Sequence, residues 1–492
     1  MRDHLFQLPL QSGVSLQGRI REMLVNAILD GHIPGGSPLP SGRKLAKQLH
    51  VARNTVVLAY QQLVEEGFLI AKERSGYYVN TDILQGRTET PTTQSPTPPD
   101  ATPQWDRRLV LKLSTQRNVS KPHDWQSYPY PFIYGQFDPA LFPIADWRES
   151  CRLALSPKDI QDWAGDRIDR DDPLLLEQIH TRVLPRRGVL ASPEQILITV
   201  GAQHALYLLA NLLVAAQHTV GIEDPGYADA RNIFSMTTQH LVGLAVDDEG
   251  VVVDKTLDQC DYVYVTPSHQ YPTTVTMSKA RREALLWRAT ASDFVIIEDD
   301  YESETNYVGQ PTAALKSIDN SDRVIYIGSL SKTLAPGLRL GYMVGPKDLI
   351  LEARAFRRLM LRHPPANNQR SVAMFLALGH HDSLVRRLSH TFSARRKVMG
   401  EALARYLPNS TQIPTFGGTS YWIKGPATLD AAQLAERAAE HGILIERGDV
   451  HFLSDSPPKN YFRLGFSSIP TDRITPGVRE LAQLVGELTS PV

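Results

Sequence analysis

Residues 328–342 of this 492-residue chain read GSLSKTLAPGLRLGY and directly follow a short apolar run. The apolar run predicts a strand, and the segment after it brings a lysine, two serines and an arginine close together. A lysine that reacts with an aldehyde must stay partly unprotonated, and Lys332 is the candidate. A phosphate group needs hydroxyl donors and a permanent cation, which Ser329, Ser331 and Arg339 can supply. These residue types suit a site for a phosphorylated aldehyde, although a surface lysine after a strand is also commonplace.

The chain beyond residue 124 alternates apolar, strand-like runs with helical patterns. Parallel strands need crossover connections, usually helices that cover the faces of the sheet. The alternation therefore predicts an α/β domain with a mostly parallel sheet. The runs occupy residues 196–200, 219–222, 262–266, 294–297, 324–327 and 340–344.

Two of these runs end in residues suited to holding a ring and a phosphate. Asp299 follows the run at 294–297 and can keep a pyridine nitrogen protonated, although an acid there can also simply cap the next helix. Gly201, Ala202 and Gln203 open a predicted helix, and backbone N–H groups at such a helix start bind phosphate.

Two further side chains are candidates on weaker local grounds. Tyr227 follows Pro-Gly after another apolar run, where a tyrosine is usually just a turn residue. Arg463 lies in the middle of an apolar run at residues 461–466. A buried guanidinium is costly without an anion, so Arg463 predicts either an acidic ligand or an internal salt bridge.

The segment at 328–342, with its Pro-Gly pair and Arg339, resembles the signature of fold-type I pyridoxal-phosphate (PLP) enzymes. The resemblance implies PLP as the cofactor, and no metal is expected. By this resemblance Lys332 attaches the cofactor and acts in catalysis, Asp299 binds the ring nitrogen, and Tyr301 binds the ring hydroxyl. Tyr227 stacks on the ring, and Arg463 binds the acid group of a ligand. The residues that bind the phosphate are Ser329, Ser331 and Arg339.

One stretch departs from that family pattern. Residues 267–274 read PSHQYPTT where aminotransferases carry Asn-Pro-x-Gly, so Tyr271 replaces the Asn and Thr274 replaces the Gly. In the family the Asn tunes the ring hydroxyl and the Gly keeps the turn compact. The changes predict no net transamination, with a residual half-reaction left open.

The first 80 residues predict a separate small domain. Helical patterns at 17–29, 41–49 and 53–65 precede two strand-like pieces at 68–70 and 77–79, the order of a winged helix-turn-helix. This domain has nine Lys and Arg against six Asp and Glu, whereas the whole chain has a formal net charge of −1. Any attraction to DNA must therefore be local to this domain.

The side chains at the start of the third helix are the candidates for reading bases, since that end of a recognition helix enters the major groove. The alternative is that these polar residues only solvate a helical face. The candidate DNA-binding residues are Arg53, Asn54 and Thr55 for bases, Arg43 and Lys44 for the backbone, and Arg74 and Gly76 at the wing.

A segment rich in Thr and Pro separates the two domains, and its composition is that of a linker. We therefore predict a winged helix-turn-helix at 1–80, a linker at 81–124 and a PLP-binding effector domain at 125–492. With two cysteines, no apolar leader and no run of membrane-spanning length, the chain is expected to be cytoplasmic.

The stretches LPSGR at 39–43, VARNTV at 51–56 and EGFL at 66–69 closely resemble the GntR-family winged helix. Ala52 differs from the small hydroxyl residue common there, which removes one phosphate contact. With the PLP-type domain, the chain resembles the MocR/GabR subfamily of bacterial transcription regulators. That resemblance implies a homodimer that binds double-stranded DNA and senses an amine or amino acid as an external aldimine on Lys332.

Three alternatives stay open at this point. The chain is a genuine aminotransferase with an added DNA-binding domain, or a sensor of PLP itself, or a protein whose small domain binds another protein. The sequence names neither the effector nor the operator, and it does not separate activator from repressor.

Overall fold

The structure is a computed structural model that describes residues 14–84, 103–304, 312–330, 332–408, 410 and 417–490. The chain divides into two units, Met1–Val110 and Leu111–Val492. The predicted linker at 81–124 spans this division. Its residues 85–102 lie outside the described part of the chain, whereas residues 111–124 belong to the large unit. The end of the predicted linker is therefore part of the large unit's structure.

The small unit consists of three helices and a hairpin around a core of apolar residues at helical spacing. Ser41 caps the second helix by accepting from the Lys44 N–H at 3.3 Å. The buried Tyr60 donates its hydroxyl proton to the Pro40 carbonyl at 2.8 Å, which ties the third helix to the preceding turn. This arrangement confirms the predicted winged helix-turn-helix. Its elements are α1 (Leu16–Leu29), α2 (Gly42–Leu49), α3 (Arg53–Glu65), β1 (Leu69–Lys72) and β2 (Gly76–Val79).

The strands of the large unit form one main sheet and two smaller ones. They are β3 (Tyr130–Pro131), β4 (Ile196–Thr199), β5 (Val220–Asp224), β6 (Leu241–Asp247), β7 (Gly250–Val251), β8 (Tyr262–Val265), β9 (Val295–Asp300), β10 (Val324–Ser329), β11 (Gly341–Val344), β12 (Ser420–Lys424), β13 (Ile443–Leu444), β14 (Glu446–Arg447) and β15 (Tyr461–Gly465).

The main sheet has eight strands in the order β4-β11-β10-β9-β8-β5-β6-β7. The pairs from β10 through β9, β8 and β5 to β6 are all parallel, and β11 and β7 pair antiparallel with their neighbours. The six apolar runs supply β4, β5, β8, β9, β10 and β11, which confirms the predicted mostly parallel α/β sheet. Because the parallel strands point the same way, the residues that follow them gather at one edge.

Helices cover both faces of this sheet, and separate apolar clusters fill the space on each side. A short helix, α4 (Trp105–Arg108), precedes the large unit. The helices of the large unit are α5 (Ile144–Ala154), α6 (Pro157–Trp163), α7 (Pro173–Gln178), α8 (Gly201–Leu213), α9 (Ala228–Phe234), α10 (Lys279–Ala291), α11 (Lys347–Leu361), α12 (Ala366–Ala377), α13 (His380–Tyr406), α14 (Ala431–Glu440) and α15 (Thr471–Thr489).

The C-terminal part of the large unit forms its own layer. The strands β12, β15 and β14 make an antiparallel sheet, and β3 pairs with β13. This layer brings β15, with Arg463, and the chain around residue 134 beside the main sheet. Within the described residues, no helix combines the length and apolarity needed to cross a membrane.

Candidate functional site

A cavity of about 370 Å³ lies where the parallel strands of the main sheet end. Nine of the ten predicted cofactor-binding residues line it, and the tenth, Ser331, lies outside the described residues. Residues far apart in the sequence thus meet in one place because they follow neighbouring strands. The nine are Gly201, Ala202, Gln203, Tyr227, Asp299, Tyr301, Ser329, Lys332 and Arg339.

The Lys332 amine lies in the wall of this cavity, with Nζ 4.5 Å from the centroid of the Tyr134 ring. Burial lowers the pKa of Lys332 to about 8, and the charges of Lys121 and Arg463 contribute to the decrease while Glu302 opposes it. A larger neutral fraction makes the amine a better nucleophile near neutral pH. The site thus supplies the lysine that an aldehyde requires.

The Asp299 carboxylate, at the end of β9, is buried with one oxygen satisfied and one not. Oδ2 accepts from the Tyr264 hydroxyl at 2.9 Å, whereas Oδ1 has no hydrogen-bond partner among the described residues. Burial raises the pKa of Asp299 to about 7, while the Tyr264 hydrogen bond opposes the increase. An unpartnered buried carboxylate oxygen on a cavity wall suits a cationic N–H such as a protonated pyridine nitrogen.

Three features form an anion-binding corner of the cavity. The helix α8 begins at Gly201 without a side-chain cap, so its first N–H groups can serve a ligand. Arg339 adopts φ +47° and places its guanidinium beside Gly201, whose own φ is +76°. A Cβ on Gly201 would lie 3.1 Å from Arg339 Nη2, so glycine is what allows this approach. Ser329 adds a hydroxyl at the end of β10.

Tyr227 belongs to a hydrogen-bond network centred on Asp229. Its hydroxyl donates to Asp229 Oδ2 at 3.0 Å, and Gln203 Nε2 donates to the same oxygen at 3.0 Å. Asn118 Nδ2 donates to Asp229 Oδ1 at 2.5 Å. Two predicted cofactor residues are therefore held by one carboxylate, which also binds Asn118 in the last part of the predicted linker.

Aromatic rings occupy the region around residues 267–274, where the sequence departs from the aminotransferase pattern. Tyr271 makes edge contacts with Tyr134, Tyr227 and Tyr301 at ring-centroid distances of 5.6, 5.0 and 5.9 Å. The Tyr301 hydroxyl donates to the His269 carbonyl at 2.7 Å, so it can offer a ligand only its oxygen in this arrangement.

Thr274 adopts φ +63°, a left-handed conformation that favours glycine. This backbone conformation explains why the family has glycine at the position, whereas this chain adopts it with a strained threonine. Such strain costs on the order of 1–3 kcal/mol.

The predicted effector residue Arg463 is fully buried and is separated from the cavity. Its guanidinium carbon lies 3.5 Å from the centroid of the Tyr134 ring and 4.3 Å from that of Tyr271. Nε donates to the Ser420 hydroxyl at 3.0 Å, and Nη1 lies 4.0 Å from Glu446 Oε2. Neither terminal nitrogen has a hydrogen-bond partner among the described residues. The sequence left open an internal salt bridge to Arg463, and Glu446 is the acid that lies close enough to form it.

Several groups of this site were missed from the sequence. Tyr264 lies within the apolar strand β8. Its hydroxyl group is the feature of the sequence that could have indicated a role in the site. Lys121 and Asn118 fall in the segment assigned to the linker, and Glu446 follows a short apolar stretch that carries no motif. No local signal distinguishes these three, because their roles depend on contacts between distant parts of the chain.

The predicted DNA-binding residues lie at the surface of the small unit. All of them are exposed except Thr55, which is half-buried. The first residues of α3 follow Ala52, and this helix has no side-chain cap, so its N-terminal N–H groups are available to a phosphate. Arg74 adopts φ +59° and Gly76 φ +108°, which gives the hairpin its tight turn.

Comparison with known proteins supports the fold of both units. The model of "Bacterial regulatory proteins, gntR family" matches residues 16–79, and that of "Aminotransferase class I and II" matches residues 169–481. The chain is 40% identical over 472 residues to the HTH-type transcriptional regulator TauR of Rhodobacter capsulatus, covering 95% of this chain and 96% of that protein. It is 29% identical to the probable rhizopine catabolism regulatory protein MocR of Rhizobium meliloti, covering 96% and 94%.

Among solved structures, the large unit is similar to the kynurenine aminotransferase of Pyrococcus horikoshii. The TM-score is 0.72 at 27% identity, over 78% of this chain and 99% of that chain. Aminotransferases of this class depend on PLP, and the donor set of the cavity fits that cofactor. The unpartnered Asp299 oxygen, the corner at Gly201 and Arg339, and the Lys332 amine match the ring nitrogen, the phosphate and the aldehyde in turn.

Proposed function

This chain belongs to the MocR/GabR subfamily of GntR-type, PLP-dependent transcription regulators, and from that premise we propose that a small amine or amino acid in the cavity changes its affinity for DNA. The observation that carries the proposal is the arrangement of one cavity. A lysine amine of lowered pKa, a buried carboxylate oxygen with no hydrogen-bond partner among the described residues, and an anion-binding corner all belong to residues that line this cavity.

Each group of the cavity has a definite task toward the cofactor. PLP, when bound, supplies an aldehyde that reacts reversibly with primary amines. Lys332 offers the neutral amine for attachment, and Asp299 accepts the ring N–H with the oxygen that lacks a partner. Arg339, Ser329 and the start of α8 hold the phosphate. An effector with a primary amine would need the position that the Lys332 amine occupies in the cavity wall.

Sensing is favoured over turnover by the part of the cavity around Tyr271. In an aminotransferase an arginine clamps the substrate's acid group, and here the matching Arg463 is buried against the rings of Tyr134 and Tyr271. Tyr271 and Thr274 also replace the family's Asn and Gly. A genuine aminotransferase and a sensor of PLP alone remain as the alternatives, and both differ from the proposal in measurable ways.

The small unit supplies the DNA contacts in this proposal. The exposed start of α3 reads base edges through Arg53 and Asn54, with Thr55 against phosphate or a methyl group. Arg43, Lys44 and the wing residues Arg74 and Gly76 position the backbone. Arg53→Ala should weaken binding to a specific site by about 1–3 kcal/mol. Lys44→Ala should weaken specific and non-specific binding alike and reduce the salt dependence.

We further propose that the protein is a homodimer, as the subfamily resemblance implied. The helix α11 of the large unit exposes Leu351 by 64% and Leu359 by 84%, with Met360 beside them. Apolar side chains that protrude together in this way are typical of an interface. Light scattering at micromolar concentration tests this: a mass of twice 54.9 kDa is expected, and a monomeric mass contradicts it.

The experiment that tests effector sensing combines absorbance with DNA binding. Wild-type protein supplied with PLP should show a visible absorption band that a panel of amines and amino acids alters, and Lys332→Ala should lack it. Lys347→Ala, which changes an exposed lysine, is the matched control. An effector must alter both the band and the affinity for DNA. If PLP alone produces the full change in DNA affinity and no amine adds to it, the protein senses PLP instead.

A further inference from the structure

The cations that line the cavity are not equivalent. Arg339 lies at the corner beside Gly201, and Lys332 is the attachment residue. Among the described lining residues, this leaves Lys121 as the cation without a task in the proposed function. Arg463, which the resemblance assigns to the ligand's acid group, does not line the cavity because Tyr134 and Tyr271 cover it. A ligand in the cavity therefore meets Lys121 before Arg463.

Lys121 is close to the reactive amine. A Cβ built on Gly135 would lie 3.1 Å from Lys332 Nζ and 3.6 Å from Lys121 Nζ, so the two amines flank the same backbone position. The Lys121 side chain keeps 23% of its surface exposed, and it lines the cavity beside Asn118 and Val119. A ligand whose amine takes the place of Lys332 thus has a cation within the length of a short side chain.

The present partners of Lys121 leave room for an additional anion. Its ammonium group donates to the Tyr134 carbonyl and pairs with Glu446 Oε1 at 2.9 Å. An ammonium group has three donors, so an acid group can be added or can replace Glu446. Glu446 Oε2 is buried without a hydrogen-bond partner among the described residues, 4.0 Å from Arg463 Nη1. One internal carboxylate thus stands between two cations.

We propose that Lys121 recognises the acid group of the effector and so selects short amino acids over plain amines, with Glu446 as the internal acid that an effector displaces. This inference rests on the proposed function, since it assumes that an amine is sensed. Because the two amines lie 3.1 and 3.6 Å from one point beside Gly135, their separation is at most the sum of these distances. This upper limit favours ligands with roughly one to three carbon atoms between the amino and acid groups.

The position of Lys121 also gives the ligand a contact with the chain that leads to the small unit. Arg117, four residues before it, donates to the carbonyls of Ser454 and Leu453, and Asn118 binds Asp229. These contacts hold residues 117–121 against the cavity. An acid group that takes over Lys121 therefore acts on the last part of the predicted linker, which the structure places in the large unit.

The test compares 3-aminopropanoate with propylamine on the PLP-loaded protein, using the change in visible absorbance to obtain half-saturating concentrations. Wild type should prefer the amino acid by about tenfold or more, because a charge-assisted hydrogen bond is gained. Lys121→Gln should lose this preference and keep its response to propylamine, and Lys121→Arg should retain most of it. Lys347→Gln is the control for removing one positive charge. The longer 6-aminohexanoate should bind no better than hexylamine.

A second variant guards against misfolding of the first. Glu446→Gln keeps an oxygen to accept the Tyr134 N–H, found at 3.1 Å, but removes the competing charge. It should bind 3-aminopropanoate several-fold more tightly than wild type and propylamine equally well. Equal weakening of both ligands in Lys121→Gln, or a wild type without preference, overturns the role of Lys121 while amine sensing stands. If no amine or amino acid alters the wild-type spectrum, both proposals fall.

Discussion

The two ends of the cavity are built in opposite ways. At the cofactor end, Asp299 and the start of α8 present polar groups toward the cavity with binding capacity unused. At the other end, where a ligand's acid group is expected (the acid end), the charged groups already have internal contacts: Arg463 packs against two tyrosine rings, and Lys121 is paired with Glu446. Polar groups that are already free and in place bind a ligand without rearrangement. Charged groups that are paired with each other must first give up that pairing before they can bind a ligand. The difference separates holding a cofactor from detecting an effector.

The largest effect should come from removing the permanent cation at the cofactor end. Arg339→Ala should weaken PLP binding by about 10- to 100-fold, because a charge-assisted contact to a phosphate contributes about 1.5–3 kcal/mol. Fluorescence titration of the apoprotein with PLP measures this. At the acid end, Lys121→Gln should leave PLP affinity within about twofold of wild type. An equal loss of PLP affinity in the two variants would contradict the distinction between the two ends.

A pair of identical substitutions sharpens the same comparison within one corner. Gly201→Ala should weaken PLP binding by about tenfold, since the new Cβ meets Arg339 Nη2 at 3.1 Å and φ is +76°. Gly337→Ala, in the same loop as Arg339, meets nothing within 4 Å and serves as the control. Both variants need an apoprotein melting temperature as a measure of folding. A Gly201→Ala protein that binds PLP normally would show that this corner does not hold the phosphate.

The acid end can be opened by restoring the family residues. Tyr271→Asn with Thr274→Gly removes one of the two rings that cover Arg463 and relieves the left-handed threonine. Turnover of an amino acid to its keto acid should become measurable above the wild-type background, with PLP affinity little changed. Coupled assay of the keto acid measures the turnover. No increase in turnover would mean that the closed acid end does not limit this chemistry.

The smallest effect concerns the pH at which Lys332 becomes reactive. Its pKa is lowered to about 8, so the rate of PLP attachment should rise with pH and level off just above 8. An unperturbed lysine, with a pKa of 10.5, would keep gaining rate well beyond that. Lys121→Gln removes one of the charges that lower this pKa and should shift the midpoint upward by less than about one pH unit. A midpoint near 10 in wild type would contradict the enclosure of this amine.

The same contrast explains what the sequence could and could not predict. Most residues predicted to bind the cofactor lie within a few positions of strand ends, and strand order brings them to one cavity. Local motifs and the family resemblance together therefore predicted nine residues of its lining. Arg463 was identified as a buried charge, but its enclosure depends on Tyr134, which belongs to a distant segment. Lys121 lies in a stretch assigned to the linker, and only its contacts with Tyr134 and Glu446 reveal it.

The central claim is that an amino acid in the cavity changes DNA affinity without being consumed. The direct measurement titrates the PLP-loaded protein with 3-aminopropanoate on DNA from upstream of its own gene at fixed salt, while visible absorbance and carbonyl product are recorded on the same sample. The account predicts a change in DNA affinity of about fivefold or more that follows the absorbance change, with no accumulating product. Steady carbonyl production, or an absorbance change with DNA affinity unaltered, would contradict it.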